Sequence, residues 1–201
     1  MASLFPASVD TFSTPTAGSA TSSPSHATLH VNVNNAITNA QTYMGMTLVS
    51  TTTIGTAVSS VTVSSAFSST YDNYLIKITG MTGSASVDTN FQLGGITTGV
   101  YITSGFYQSL SSATITTYTT TTTVMPMGTL GSTQNTQITI DISAPNLAVT
   151  KYISIRTQSA VLSAIGATQV GSTVQATAFT LTPTSGTLTG GTITIYGYRQ
   201  A

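Results

Sequence analysis

Two kinds of hydrophobic spacing divide this chain. Between Pro24 and Gly45, Leu29, Val33, Ala36, Ala40 and Tyr43 recur at intervals of four, three, four and three. That is the seam of a short amphipathic helix, the a/d pattern of a coiled coil. Ser23 can cap this helix, with Pro24 at its first position and Gly45 where a left-handed C-terminal cap is wanted. From Met46 onward the period changes to two. Val61 and Val63 share a face, as do Tyr74, Ile76 and Ile78, then Phe91 and Leu93. Ile138, Ile140 and Ile142 alternate most cleanly, followed by Ile153/Ile155, Phe179/Leu181 and Ile193/Ile195. Turn signals such as Tyr71–Asp72–Asn73, Gly94–Gly95 and Ala144–Pro145–Asn146 fall between these runs. About eight to ten strands in a β-sandwich or barrel follow from this rhythm. The Thr116–Thr123 run, broken by Tyr118, has hydroxyls on both faces and therefore no dry face. It is expected at an edge or a surface.

The first 24 residues have no such period. Leu4, Phe5, Val9 and Phe12 are their apolar anchors, and Pro6, Pro15 and Pro24 forbid a continuous helix. Two readings stand: a disordered tail, or an extended arm that docks on a neighbour. The chain is thus divided into an arm (1–24), a helix (25–45) and a β head (46–201). The helix is rich in Asn, Thr and Val, which are poor helix formers, and is too short to hold by itself. It packs either on its own β head or in a bundle between chains.

Composition strengthens the second alternative. Charged residues are 4% of the chain, against a usual level of about 25%. The acids are Asp10, Asp72, Asp88 and Asp141; the bases are Lys77, Lys151, Arg156 and Arg199. Roughly a fifth of the chain is threonine, far above average usage. Hydroxyls and amides must supply solubility. A surface with almost no charge suits a subunit held in an assembly better than a free monomer. The net charge of zero gives no electrostatic footprint for nucleic acid. The chain has no Cys, so a disulfide framework and a Cys-ligated metal site are both excluded. The start of the chain lacks a signal-peptide pattern, and the uncharged window from Met46 to Tyr71 alternates as a strand does, so no membrane insertion is expected.

Catalytic constellations are sparse. His26 and His30 form an i,i+4 pair that could ligate a metal, but no third ligand and no neighbouring Glu accompany them. Helix-start packing is the competing role for the two histidines. No nucleophile elbow or phosphate-cradling loop is present. The chain is expected to be no enzyme and to need no cofactor. Tyr101, Phe106, Tyr107 and Tyr118 cluster in the Gly/Thr-rich middle. They are candidate glycan contacts, because sugars stack on aromatic faces; core or inter-subunit packing is the other reading.

Three segments carry a family resemblance. The string Pro24-Ser25-His26-Ala27-Thr28-x-His30-x-Asn32-x-Asn34-x-Ala36, running on to Gly45, resembles a segment near the start of tailed-bacteriophage virion proteins of the tail-fibre and minor structural type. Leu29, Asn35 and Gln41 replace the usual Gln, Asp and Glu. Phe67–Tyr74 and the C-terminal Gly191–Tyr198 are similar to later stretches of the same proteins. The resemblance implies a homotrimer. Residues 1–24, through Leu4, Phe5, Val9 and Phe12, would attach to other virion proteins. The helix would form a trimeric bundle along Leu29, Val33, Ala36, Ala40 and Tyr43. The β head would be an antiparallel, jelly-roll-like sandwich at the distal end. The implied location is the virion. The implied roles are a short fibre or fibre tip that adheres to host glycan, or a capsid-bound head fibre or decoration protein.

Overall fold

A computed structural model describes residues 30–37, 45–112, 114–133 and 136–198 of the chain. The chain divides into two units, and among the described residues the strands lie in one of them, Met46–Tyr198. The described helical residues, 30–37, belong to the other. Val31, Val33 and Ile37 are about half exposed there, at 54%, 46% and 50%. Leu29, Ala40, Tyr43 and His26 lie outside the described residues, as do Leu4, Phe5, Val9 and Phe12. Among the described residues no helix is long and apolar enough to cross a membrane.

The fold is mainly β and antiparallel throughout. In chain order the strands are β1 (Met46–Thr53), β2 (Val61–Val63), β3 (Asn73–Gly83), β4 (Val87–Leu93), β5 (Tyr101–Ser109), β6 (Ile115–Thr122) and β7 (Met125–Leu130). They continue as β8 (Thr136–Ser143), β9 (Lys151–Gln158), β10 (Leu162–Val170), β11 (Phe179–Pro183), β12 (Leu188–Thr189) and β13 (Thr192–Tyr198). A large sheet runs β1-β13-β3-β8-β9-β10-β5-β6, with β12 added on β3. A small sheet runs β2-β11-β4-β7. The strands outnumber the eight to ten expected because runs such as the two-residue β12, and β10 with Ala164, Gly166 and Thr168 on its buried face, show no apolar period. The Thr-rich run forms β6, the edge of the large sheet.

Both sheets turn their apolar faces into one core. The alternating isoleucines of β3, β8, β9 and β13 are all buried, and each full burial stabilises by roughly 1.5–3 kcal/mol. An aromatic ladder joins the layers. Phe91 of β4 stacks on Phe179 of β11 at 5.0 Å, and Phe179 meets Phe67 at 5.9 Å. Phe67 then packs edge-on against Tyr74 of β3 at 5.0 Å. The Tyr74 hydroxyl closes the loop before its own strand: it accepts from Ser68 N–H and donates to Ser68 O, both at 2.8 Å. This is the logic of a tyrosine corner. It gives the Phe67–Tyr74 segment a structural duty. Gly197 of β13 pairs with Tyr74. A β-carbon at Gly197 would stand 2.4 Å from the Tyr71 ring, so the two later segments of the resemblance meet at one packed corner.

The inner face of the large sheet changes character from one side to the other. One row of register partners runs Ile195, Ile76, Ile140 and Ile155, and then Gly166, Gly105 and Tyr118. Its neighbour runs Ile193, Ile78 and Ile138, and then Thr157, Ala164 and Tyr107. Branched side chains fill the β13–β9 side. On β10, β5 and β6 the rows shrink to small residues capped by tyrosines, and the packed core gives way to a cleft.

Candidate functional site

The cleft lies where β5 and β6 reach past the edge strand β7 of the small sheet. Its volume is about 360 Å³, near the lower end of the range for small-molecule sites, about 300–1,000 Å³. Tyr107 of β5, Tyr118 and Thr120 of β6, and Leu162 and Ala164 of β10 form one wall. Asp88 and Asn90 of β4, with Pro126, Gly128 and Thr129 of β7, form the other. Gln92 of β4 donates through Nε2 to Thr123 O at 3.0 Å, tying the small sheet to the turn after β6.

Glycine determines how Tyr118 lies. Gly105 is its register partner, and Gly166 is the partner of Gly105 in turn. A β-carbon at Gly105 would stand 3.0 Å from the Tyr118 hydroxyl oxygen, and one at Gly166 would stand 2.9 Å from it. With no side chain on either residue, the ring can cross two strands and lie over the backbone. The Tyr107 ring lies 6.3 Å from it, tilted by 47°. Two aromatic faces therefore converge in the cleft. Burial raises the Tyr118 phenol above its ordinary pKa of 10.0. At neutral pH its hydroxyl is a neutral group that can both donate and accept.

The opposite wall supplies directional polarity. Asp88 accepts a hydrogen bond from the Thr129 hydroxyl, which fixes its carboxylate. The other carboxylate oxygen and the Asn90 amide offer acceptor and donor sites together. The Thr120 hydroxyl oxygen has no hydrogen-bond partner among the described residues. Asp88 is the one acid in the lining and no base joins it. Two carboxylates flanking a scissile bond, as in glycoside hydrolysis, are not assembled among these residues. The arrangement can grip a planar or ring-shaped, hydroxyl-rich, uncharged molecule. One negative charge disfavours phosphate and carboxylate ligands.

The four aromatic candidates part company. Tyr107 and Tyr118 are brought together in the cleft. Tyr101 is fully buried, and its hydroxyl accepts from Leu93 N–H at 2.8 Å. It is core, and its period-2 position in β5 explains why. Phe106 is 45% exposed on the opposite face of the same strand. Asp88, Asn90 and Thr129 were not singled out by sequence reasoning. A signal existed for Asp88: a lone charge in the run Val87-Asp88-Thr89-Asn90-Phe91 of a nearly charge-free chain. His30 is exposed in the helix. Among the described residues no group of three or more His, Cys, Asp or Glu gathers to hold a metal. No protein-family model, curated protein or solved structure matches this chain.

Proposed function

We propose that this chain is a non-enzymatic virion structural protein of a tailed bacteriophage, a homotrimeric short fibre or fibre tip whose β head binds a host-surface glycan. The observation that carries the adhesion reading is the cleft, whose lining brings the Tyr107 and Tyr118 rings together with Asp88, Asn90 and Thr129. Aromatic faces beside polar side chains suit the C–H faces and hydroxyls of a sugar ring. The virion part rests on the Pro24–Gly45, Phe67–Tyr74 and Gly191–Tyr198 resemblance and on the charge-poor composition. In this reading residues 1–24 attach to other virion proteins. The helix joins a trimeric bundle, and the two sheets act as a jelly-roll-like sandwich head.

Titration of the full chain with a panel of neutral oligosaccharides tests the adhesion reading. A panel member should bind, and Tyr118→Ala should weaken it at least about tenfold, a loss of about 1.4 kcal/mol. Binding untouched by Tyr118→Ala would remove the cleft from the reading. The charge-poor exterior also suits the second reading, a decoration protein on the capsid. Copy number separates the two: a few copies at the tail support the fibre, and hundreds on the shell support decoration.

A further inference from the structure

Part of the cleft lining is left unused by the aromatic grip. Leu162 and Ala164 of β10 and Pro126 of β7 line it together with Tyr107 and Tyr118. Leu162 and Ala164 lie on the inner face of β10, and each is 8% exposed. This apolar floor sits beside the fixed carboxylate. A β-carbon on Gly128 would stand 3.3 Å from Leu162 Cδ1, so the Leu162 methyls lie against the Gly128 backbone. Thr129 follows Gly128, pairs with Asp88 in register and donates its hydroxyl hydrogen to the Asp88 carboxylate. The carboxylate can only accept, so it calls for a donor on the ligand. A plain sugar hydroxyl supplies a donor but gains nothing from the floor, because a hydroxyl pressed on apolar side chains loses its water without a partner.

We propose that the cleft selects an N-acetylated amino sugar over the sugar that carries a hydroxyl at the same ring carbon. The acetamido group combines, in one planar unit, an N–H donor for the Asp88 carboxylate and a methyl group for the floor of Leu162, Ala164 and Pro126. Its carbonyl oxygen accepts from the Asn90 amide or the Tyr118 hydroxyl, both in the lining. An N–H given to a carboxylate makes a stronger hydrogen bond than a neutral pair does. Burying the methyl is favourable in proportion to the apolar area it takes from water. A free ammonium fits less well. Asp88 is exposed, where an ion pair contributes little, and the ammonium brings the floor no methyl and loses its own water there. An acidic sugar meets the same carboxylate and is repelled.

The inference rests on the saccharide reading of the cleft and narrows it to one substituent. Calorimetric titration of the full chain with matched saccharides tests it. Cellotriose, chitotriose and fully deacetylated chitotriose share one backbone and differ only in a hydroxyl, acetamido or ammonium group at one carbon of each ring. Galactobiose and its N-acetylgalactosamine counterpart make a second matched set. In a set that binds, the acetamido member should bind at least about tenfold tighter than its hydroxyl or ammonium partner. Asp88→Ala, a change at an exposed position, should reduce that ratio at least about threefold. An acetamido member no tighter than its partners overturns the inference, and so does a ratio that Asp88→Ala leaves intact. Binding confined to other neutral saccharides overturns it too. In each of these cases the saccharide reading stands. If no saccharide binds, both fall.

Discussion

Tyr101 sits with its hydroxyl inside the core and accepts the Leu93 N–H across the two sheets. Burial raises its pKa from 10.0 to about 12, against the smaller opposing effect of that hydrogen bond. Linkage fixes the sign. Below pH 10 both folded and unfolded chains keep the proton, and the stabilising contribution is complete. Between about 10 and 12 the unfolded chain releases the proton while the folded chain holds it, so stability falls as pH rises. Two pKa units correspond to about 3 kcal/mol over that window. Tyr198, also raised to about 12 by burial and by Asp141, adds in the same direction, with a smaller effect because its phenol is partly exposed. Urea unfolding of the wild type and of Tyr101→Phe at about pH 9 and about pH 11 checks the assignment. The variant starts about 1–3 kcal/mol weaker, because Leu93 N–H loses its partner, and it should then lose less on going to high pH. Equal losses in both proteins would show that Tyr101 is not the titrating group.

Strands announce themselves in this chain where one face is dry and the other wet. Ile138, Ile140 and Ile142 alternate with polar residues and are buried as the period requires, and the Thr run that lacked a dry face is the edge strand β6. Pairing was not legible, because period reports which side is buried and not which strand lies alongside. β13 inserts between β1 and β3 from the far end of the chain. β7 was hard to see for a different reason: Met125-Pro126-Met127-Gly128 reads as a breaker, yet proline is tolerated on an edge strand. Lys151, at the start of β9, breaks the pattern most. It is fully buried, and its Nζ donates to Leu147 O, Val149 O and Ser172 O at 3.0, 2.7 and 2.8 Å. One ammonium thereby fastens the loop before β9 to the segment after β10, and it satisfies three carbonyls that have left the ladder. Lys151→Met keeps the stem and removes the donors, so it should cost about 3 kcal/mol or more, since each stranded buried group costs about 1–3 kcal/mol. The urea midpoint should fall with the slope unchanged. A Met variant as stable as the parent would show that the cation does not hold the two segments.

The cleft illustrates why a site is harder to read than a strand. Tyr107 and Tyr118 drew notice as aromatics in a polar region, but Asp88 and Asn90 reach them only because β4 pairs with β7 and β7 runs under the overhanging hairpin. That depends on topology, which no local pattern encodes. The proposed self-association is read from sequence spacing alone. The proposed helical seam rests on the spacing of Leu29, Val33 and Ala36. The helix and the strands belong to different units, so the seam can be tested apart from the β unit. Val33 is 46% exposed in the single chain. Leu29→Asp with Val33→Asp should therefore leave the β unit's melting temperature unchanged. In a helical bundle each aspartate would be buried without a partner, at a cost of several kcal/mol. The oligomer should then weaken by orders of magnitude in sedimentation. An oligomer of unchanged mass would dismiss the seam as the association surface.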